Sequence, residues 1–179
     1  TDADPNKTYE IEENHGPWMI MAASFVGPTA EQQSKELVLE LRQRFRLEAF
    51  IFRHTYDFSK PTEGRGYDRY GGTRRMRYLT NSKFDEIAVL VGHFPSVEDP
   101  QLEKTLALLK HAKPESLDAT KKGSSSQRLV GLRSLYTMIS SNPDEKTKGP
   151  MVAAFVTRNP LLPKEYSVAK AIDPLVVDM

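Results

Sequence analysis

Cysteine is absent from the chain, so a disulfide framework, a thiolate nucleophile and cysteine-ligated zinc are all excluded, and the usual redox clue to compartment is missing. No apolar run approaches the roughly 20 residues that a membrane-spanning helix needs, so membrane insertion is not expected. Charge of one sign is also lacking. The 25 basic and 24 acidic residues leave a formal net charge of +1, too little for the field of the whole molecule to select nucleic acid or an anionic membrane. The four histidines, His15, His54, His93 and His111, stand singly, and no His-x-x-x-His pair, Gly-x-Ser-x-Gly elbow or phosphate-cradling glycine motif occurs. His93 reads as a loop or cap residue after a strand, Ser124-Ser125-Ser126 as linker, and Asp85-Glu86 as the exposed start of a strand rather than an acid and base pair. These absences argue against an enzyme, and neither a metal nor a cofactor is expected.

What remains is a chain of 179 residues with 39% hydrophobic and 27% charged residues, enough for one soluble domain with its own core. Residues 1–16 form an acidic extension in which Asp2, Asp4, Glu10, Glu12 and Glu13 outnumber Lys7. A start at Thr1 rather than methionine reads as processed, which favours export, and the apolar run at 172–179 reads as continuing into further polypeptide.

Between these ends the pattern alternates. Residues 18–25 (Trp-Met-Ile-Met-Ala-Ala-Ser-Phe) form a continuous apolar run between Gly16-Pro17 and Gly27-Pro28, as a central strand does. Thr29 followed by Glu31 and Gln32 has the form of a capping box, and Leu37, Leu41 and Phe45 recur at helical spacing, predicting a helix over 30–45. A second strand spans 47–55, and a third spans 84–94 around Ile87-Ala88-Val89-Leu90-Val91. A helix over 99–112 is capped by Ser96 or Asp99 and stopped by Pro114. A flexible loop at 120–126, a short helix carrying Leu129, Leu132, Tyr136 and Ile139, and a fourth strand at 151–157 complete the series. The order predicts an α+β fold of the ferredoxin-like split βαβ kind, a four-stranded antiparallel sheet with two helices on one face. One domain then occupies 17–158, with inserts at 56–83 and 114–150, and 159–179 is an extended C-terminal segment or linker.

Strict alternation puts Trp18, Ile20, Ala22 and Ser24 on one sheet face and Met19, Met21, Ala23 and Phe25 on the other. Both faces are apolar. The face marked by Met19, Met21, Phe25 and Leu90 is therefore expected to be covered by the insert at 56–83, by the segment at 129–139, or by a partner.

The segment from Arg53 to Tyr78 holds seven basic residues against three acidic ones, a local net of +4, with four tyrosines interleaved. Arginine beside tyrosine grips anionic or planar groups through bidentate hydrogen bonds and stacking. Arg65, Tyr67, Arg69, Tyr70, Arg74, Arg75, Arg77 and Tyr78 are the candidate binding residues; the alternative is a solvated loop or a hairpin whose arginine stems cover apolar surface. Nucleic acid is not expected, because residues 87–91 of the central strand carry no aromatic or basic side chain.

Two stretches resemble the half-repeats of the SPOR domain (sporulation-related repeat). They are Trp18 to Phe25 leading through a glycine loop into an Ala/Glu helix, and Val89-Leu90-Val91-Gly92-His93-Phe94-Pro95-Ser96 leading into a Leu/Lys helix. The flanking phrases Gly16-Pro17-Trp18 and Asn159-Pro160-Leu161-Leu162-Pro163 are also similar to those of exported bacterial proteins. The resemblance implies a non-catalytic envelope module with cell-wall glycan as a ligand. A structural subunit of an exported assembly, joined to a protein partner or a second copy through its apolar sheet face, is the competing expectation.

Overall fold

The computed structural model describes residues 1–79, 82–117 and 148–163. The loop at 120–126, the helix at 129–139 and the segment beyond 163 lie outside the described residues. The described chain is α+β, in the order β1 (Trp18–Val26), α1 (Ala30–Gln43), β2 (Ala49–Asp57), β3 (Thr62–Tyr67), β4 (Thr73–Met76), β5 (Lys83–Phe94), α2 (Pro100–His111) and β6 (Phe155–Arg158). Four strands form one antiparallel sheet in the spatial order β2-β5-β1-β6, and β3 and β4 form a separate two-stranded hairpin.

Helix α1 buries the stripe of Leu37, Val38 and Leu41 against the sheet. Its start departs from expectation, because the Thr29 side chain makes no capping hydrogen bond. The acidic first turn supplies the compensation: Glu31 pairs with Lys35 at 2.9 Å and with Arg53 of β2 at 3.2 Å. These two cations hold the Glu31 carboxyl down at about 2. The helix ends at Gln43 rather than 45. Arg46 takes the left-handed conformation (φ 58°) and the Leu47 N–H donates back to the Leu41 carbonyl at 3.0 Å, a closure over seven residues that the periodicity of Phe45 conceals. Helix α2 is capped as the sequence pattern suggests, with the Asp99 carboxylate accepting from the Gln101 N–H at 2.8 Å.

Two bulges decide which side chains share a face. Met21 pairs with Leu90 and Ala23 with Val89, so Ala22 is an extra residue on β1. Trp18 pairs with Phe94 and Ile20 with Val91, so β5 carries the extra residue there, beside Gly92. Gly92 sits at φ 70°, and a Cβ placed on it would lie 2.5 Å from the Phe94 ring. Because directly paired antiparallel residues share a face, Ile20, Ile51, Val89, Val91, Ile87 and Phe25 point one way, and Arg53 in the same set reaches Glu31 on α1. The other face carries Phe50, Leu90 and Met21 in one row and Phe52, Ala88 and Ser24 in the next. Phe25 is therefore not on the face of Met21, as strict alternation required; the Ala22 bulge turns Ala23 and Phe25 toward α1. Phe25 is buried while Met21 is half-buried.

The fourth strand is shorter than its apolar run. Met151 is buried in a turn, with the Val152 N–H bonded to Gly149 and the Ala154 N–H to Met151, and only Phe155–Arg158 reaches β1. Gly149 is pressed against the end of α2, donating to the Lys110 carbonyl at 2.8 Å. The segment after α2 returns to α1, where the Glu40 carboxylate accepts from the backbone N–H of Glu115 at 2.8 Å and of Ser116 at 2.9 Å. Partial burial pushes the Glu40 carboxyl up, but these donors outweigh it and hold the group below the usual carboxylate range.

Residues 9–11 add a short parallel bridge to the outer edge of β2. The Ile51 N–H donates to the Tyr9 carbonyl at 2.7 Å and the Ile11 N–H to the Ile51 carbonyl at 3.1 Å, and the Tyr9 and Ile11 side chains are buried. Arg42, itself buried, lies 3.7 Å over the Tyr9 ring and donates to the Ala49 carbonyl at 2.9 Å.

Candidate functional site

The pairing of β1 with β5 stops at Val26 and Glu86, whereas β2 and β5 stay paired through Asp57 and Lys83, and the Phe58 N–H then donates to the Ser82 carbonyl at 3.0 Å. A two-stranded ribbon therefore extends past the sheet and carries the β3–β4 hairpin beyond its end. We refer to residues 55–79 and 82–85 as the arm. Thr55 Oγ1 donates to Asp85 at 2.6 Å at its base, so Asp85 and Glu86 lie within a strand. At the tip, Asp68 accepts from the Tyr70 N–H at 2.8 Å and the Gly72 N–H at 2.9 Å, and Gly71 takes a positive φ. The tip is thus closed by polar groups rather than by burial.

All eight predicted binding residues lie on this hairpin or directly after it, and all are exposed. Tyr67 is 76% and Tyr70 81% exposed. Arg69 lies 4.8 Å from the centre of the Tyr70 ring and donates to its hydroxyl at 2.6 Å. Among the described residues, Arg65, Arg69, Arg74, Arg75 and Arg77 form no ion pair; Arg75 stands opposite Glu63 in the hairpin register without bonding to it. The hairpin does bring these residues together as one feature. It does not, however, fold back over the sheet, so the expectation that residues 56–83 cover the second face fails for β3 and β4, whose residues stand almost wholly in solvent. Glu63-Gly64-Arg65-Gly66 in β3 and Arg74-Arg75 in β4 offer no continuous apolar side to bury.

A second feature escaped the sequence reading. Phe50, Phe52, His54 and Tyr56 alternate along β2 and so share the face opposite α1, and Phe58 continues the series into the arm. Ring centres are 6.1 Å apart for Phe52 and His54, 4.5 Å for His54 and Tyr56, and 5.9 Å for Tyr56 and Phe58. Phe84 of β5 lies 5.4 Å from Tyr56, and Tyr78 lies 4.7 Å from Phe58. Burial pushes the Tyr56 hydroxyl pKa up, and the neighbouring Glu86 carboxylate adds to it. The period-two spacing of these aromatics is the signal in the sequence, which the strand's richness in aromatic and β-branched residues does not by itself assign to one face.

His93 lies within β5 rather than in a loop, with Nε2 3.0 Å from the Glu48 carboxylate. Among the described residues no group of three histidine, aspartate or glutamate side chains is placed to hold a metal ion, and no helix is long and apolar enough to cross a membrane. The geometry offers a basic, tyrosine-bearing prong joined to the sheet by an aromatic strip. Comparison of the chain with family models, with curated proteins and with solved structures finds no match.

Proposed function

We propose that the chain is a non-catalytic, SPOR-like binding module, exported to a bacterial envelope or beyond, that holds an anionic partner chain or cell-wall glycan through its arm. The observation that carries this reading is the set of five arginines without ion pairs among the described residues, beside three exposed tyrosines on and directly after a projecting hairpin. A guanidinium that no carboxylate among the described residues engages keeps its paired donors for a ligand, and an exposed phenol ring supplies a stacking surface. The spatial order of the four strands of the main sheet and the helical crossovers after β1 and β5 support a ferredoxin-like split βαβ topology. Right-handed crossovers put both helices on one face, which agrees with the docking of residues 115 and 116 on α1.

The test is co-sedimentation with purified glycan strands and, separately, with an acidic polymer, for the native chain and for the double variant Arg74→Ala, Arg75→Ala. The native chain should pellet with at least one of the two, less at high salt, and the variant should lose most of that binding. Equal binding by the variant removes the arm from the reading, and failure of the native chain with both polymers overturns it.

The structural-subunit reading keeps one specific observation in its favour. Phe155 of β6 is 53% exposed and pairs with the half-buried Met21, leaving apolar surface at that side of the sheet. Defined oligomers in sedimentation velocity, with no affinity for either polymer, would favour it.

A further inference from the structure

Residues 9–11 bridge the outer edge of β2 and residues 12–17 carry this strap past Phe94 to β1, with the turn between the two parts built around one histidine. His15 Nδ1 accepts a hydrogen bond from the Glu12 N–H at 2.9 Å, across the turn that the His15 N–H closes on the Glu12 carbonyl at 3.2 Å. A backbone N–H only donates, so this bond requires Nδ1 to carry no proton. The His15 ring lies 4.0 Å from the Phe50 ring, which seats the strap on the sheet face opposite α1. The buried Asn159 finishes the fastening: its side-chain amide donates to the Glu12 carbonyl at 3.0 Å and the His15 carbonyl at 2.6 Å.

From these contacts we infer that the strap is an acid-released latch, in which protonation of His15 breaks the Glu12 bond and frees the outer edge of β2. Protonation puts an N–H of the imidazolium against the N–H of Glu12, so the bond becomes a repulsion. Every element around the ring contributes charge. Glu12 of the strap and Glu48 before β2 favour the imidazolium, whereas His93 of β5, with its ring centre 6.4 Å away, and Arg42 of α1 oppose it. Desolvation against the sheet is the largest influence, and the balance holds His15 below the usual histidine value of 6.5. The sign follows from that direction. A base whose folded pKa is depressed stabilises the closed strap fully above about pH 6.5, and this contribution is lost as pH falls from there through the lower folded value.

Release would leave the Ile51 N–H and carbonyl without their Tyr9 and Ile11 partners, turning a paired edge into an open one. The device is independent of what the arm holds. Amide exchange, corrected for its intrinsic pH dependence, tests it at Ile11 and Ile51. Between about pH 7.5 and about pH 5, protection there should fall about tenfold more than at Ile20 or Val89, and His15→Phe, which keeps a ring on Phe50, should abolish the difference. The same fall in His15→Phe, or none in the native chain, overturns the latch. Should that variant fail to fold, nitrogen NMR of the native His15 side chain decides: a protonated Nδ1 at neutral pH, or a pKa at or above the usual histidine value, overturns it equally.

Discussion

The sheet body and the arm are both antiparallel β-structure, and they are held together by different means. In the body, Ile20, Val89 and Val91 lie in paired rows without measurable exposure, and α1 closes over them. In the arm, polar turn bonds at Asp68 and a strip of rings from Tyr56 to Tyr78 take the place of a core. One part of the molecule is specified by burial, the other by local hydrogen bonding and ring contacts. The arm is accordingly free to keep charges that the body excludes.

The strongest challenge to this contrast is to remove a side chain of similar type from each region. Phe25→Ala, in the body, should cost about 3–5 kcal/mol in denaturant unfolding, and Leu41→Ala on α1 about 2–5 kcal/mol. Phe58→Ala in the arm should cost under about 1 kcal/mol, because its ring contacts are half in water. A large loss from Phe58→Ala would show that the arm is part of the cooperative core. Next in size is Gly92→Ala, expected to cost about 1–3 kcal/mol through a strained positive φ and collision with Phe94; a midpoint unchanged from the native chain would remove the bulge from the list of features that hold the face pattern.

A smaller effect is expected at the start of α1. Glu31 is exposed, yet Lys35 and Arg53 hold its carboxyl at about 2 against an ordinary 4.5. Its contribution is therefore present above about pH 4.5 and fades as pH falls toward 2, so Glu31→Gln should lower the thermal midpoint at neutral pH and converge with the native chain in strong acid. Parallel melting curves at all pH values would dismiss the pairing as energetically silent. Smallest of all, Arg74→Ala with Arg75→Ala should move stability by no more than about 0.5 kcal/mol, since neither guanidinium has an ion-pair partner among the described residues. Only its effect on binding should be large.

The body was the legible part, and for the reason that separates it from the arm. Apolar runs bounded by glycine and proline announce buried strands, and Leu37 and Leu41 announce a helix, because burial writes itself into residue type at fixed periods. Bulges do not. Nothing in Met-Ala-Ala-Ser marks Ala22 as the extra residue, and the register that turns Phe25 toward α1 exists only once β5 is alongside. The left-handed Arg46 is similarly silent, as is the choice of Glu31 over Thr29 to settle the helix start. The arm's residues were identifiable from composition, but their form was not. Glycine and arginine fit loop and hairpin alike, and the Asp68 turn that decides between them is a matter of local geometry.

Asn159 joins parts of the chain that lie far apart in sequence, and this has a mechanical side. Its backbone N–H donates to the Pro17 carbonyl at 2.9 Å, immediately beside the antiparallel pair of Trp18 and Arg158. The chain thus runs into β1 and out of β6 at the same end of one strand pair. Tension applied between residues 17 and 159 would peel the two strands apart bond by bond, as a zipper opens, rather than shear the whole ladder at once. Only four residue pairs connect β1 to β6, so the clasp at Asn159 is the first resistance to such a pull. Once it yields, the turn at Glu12 and His15 loses the side chain that ties it to the end of β6, while the paired rows of β1, β5 and β2 lie out of the line of force.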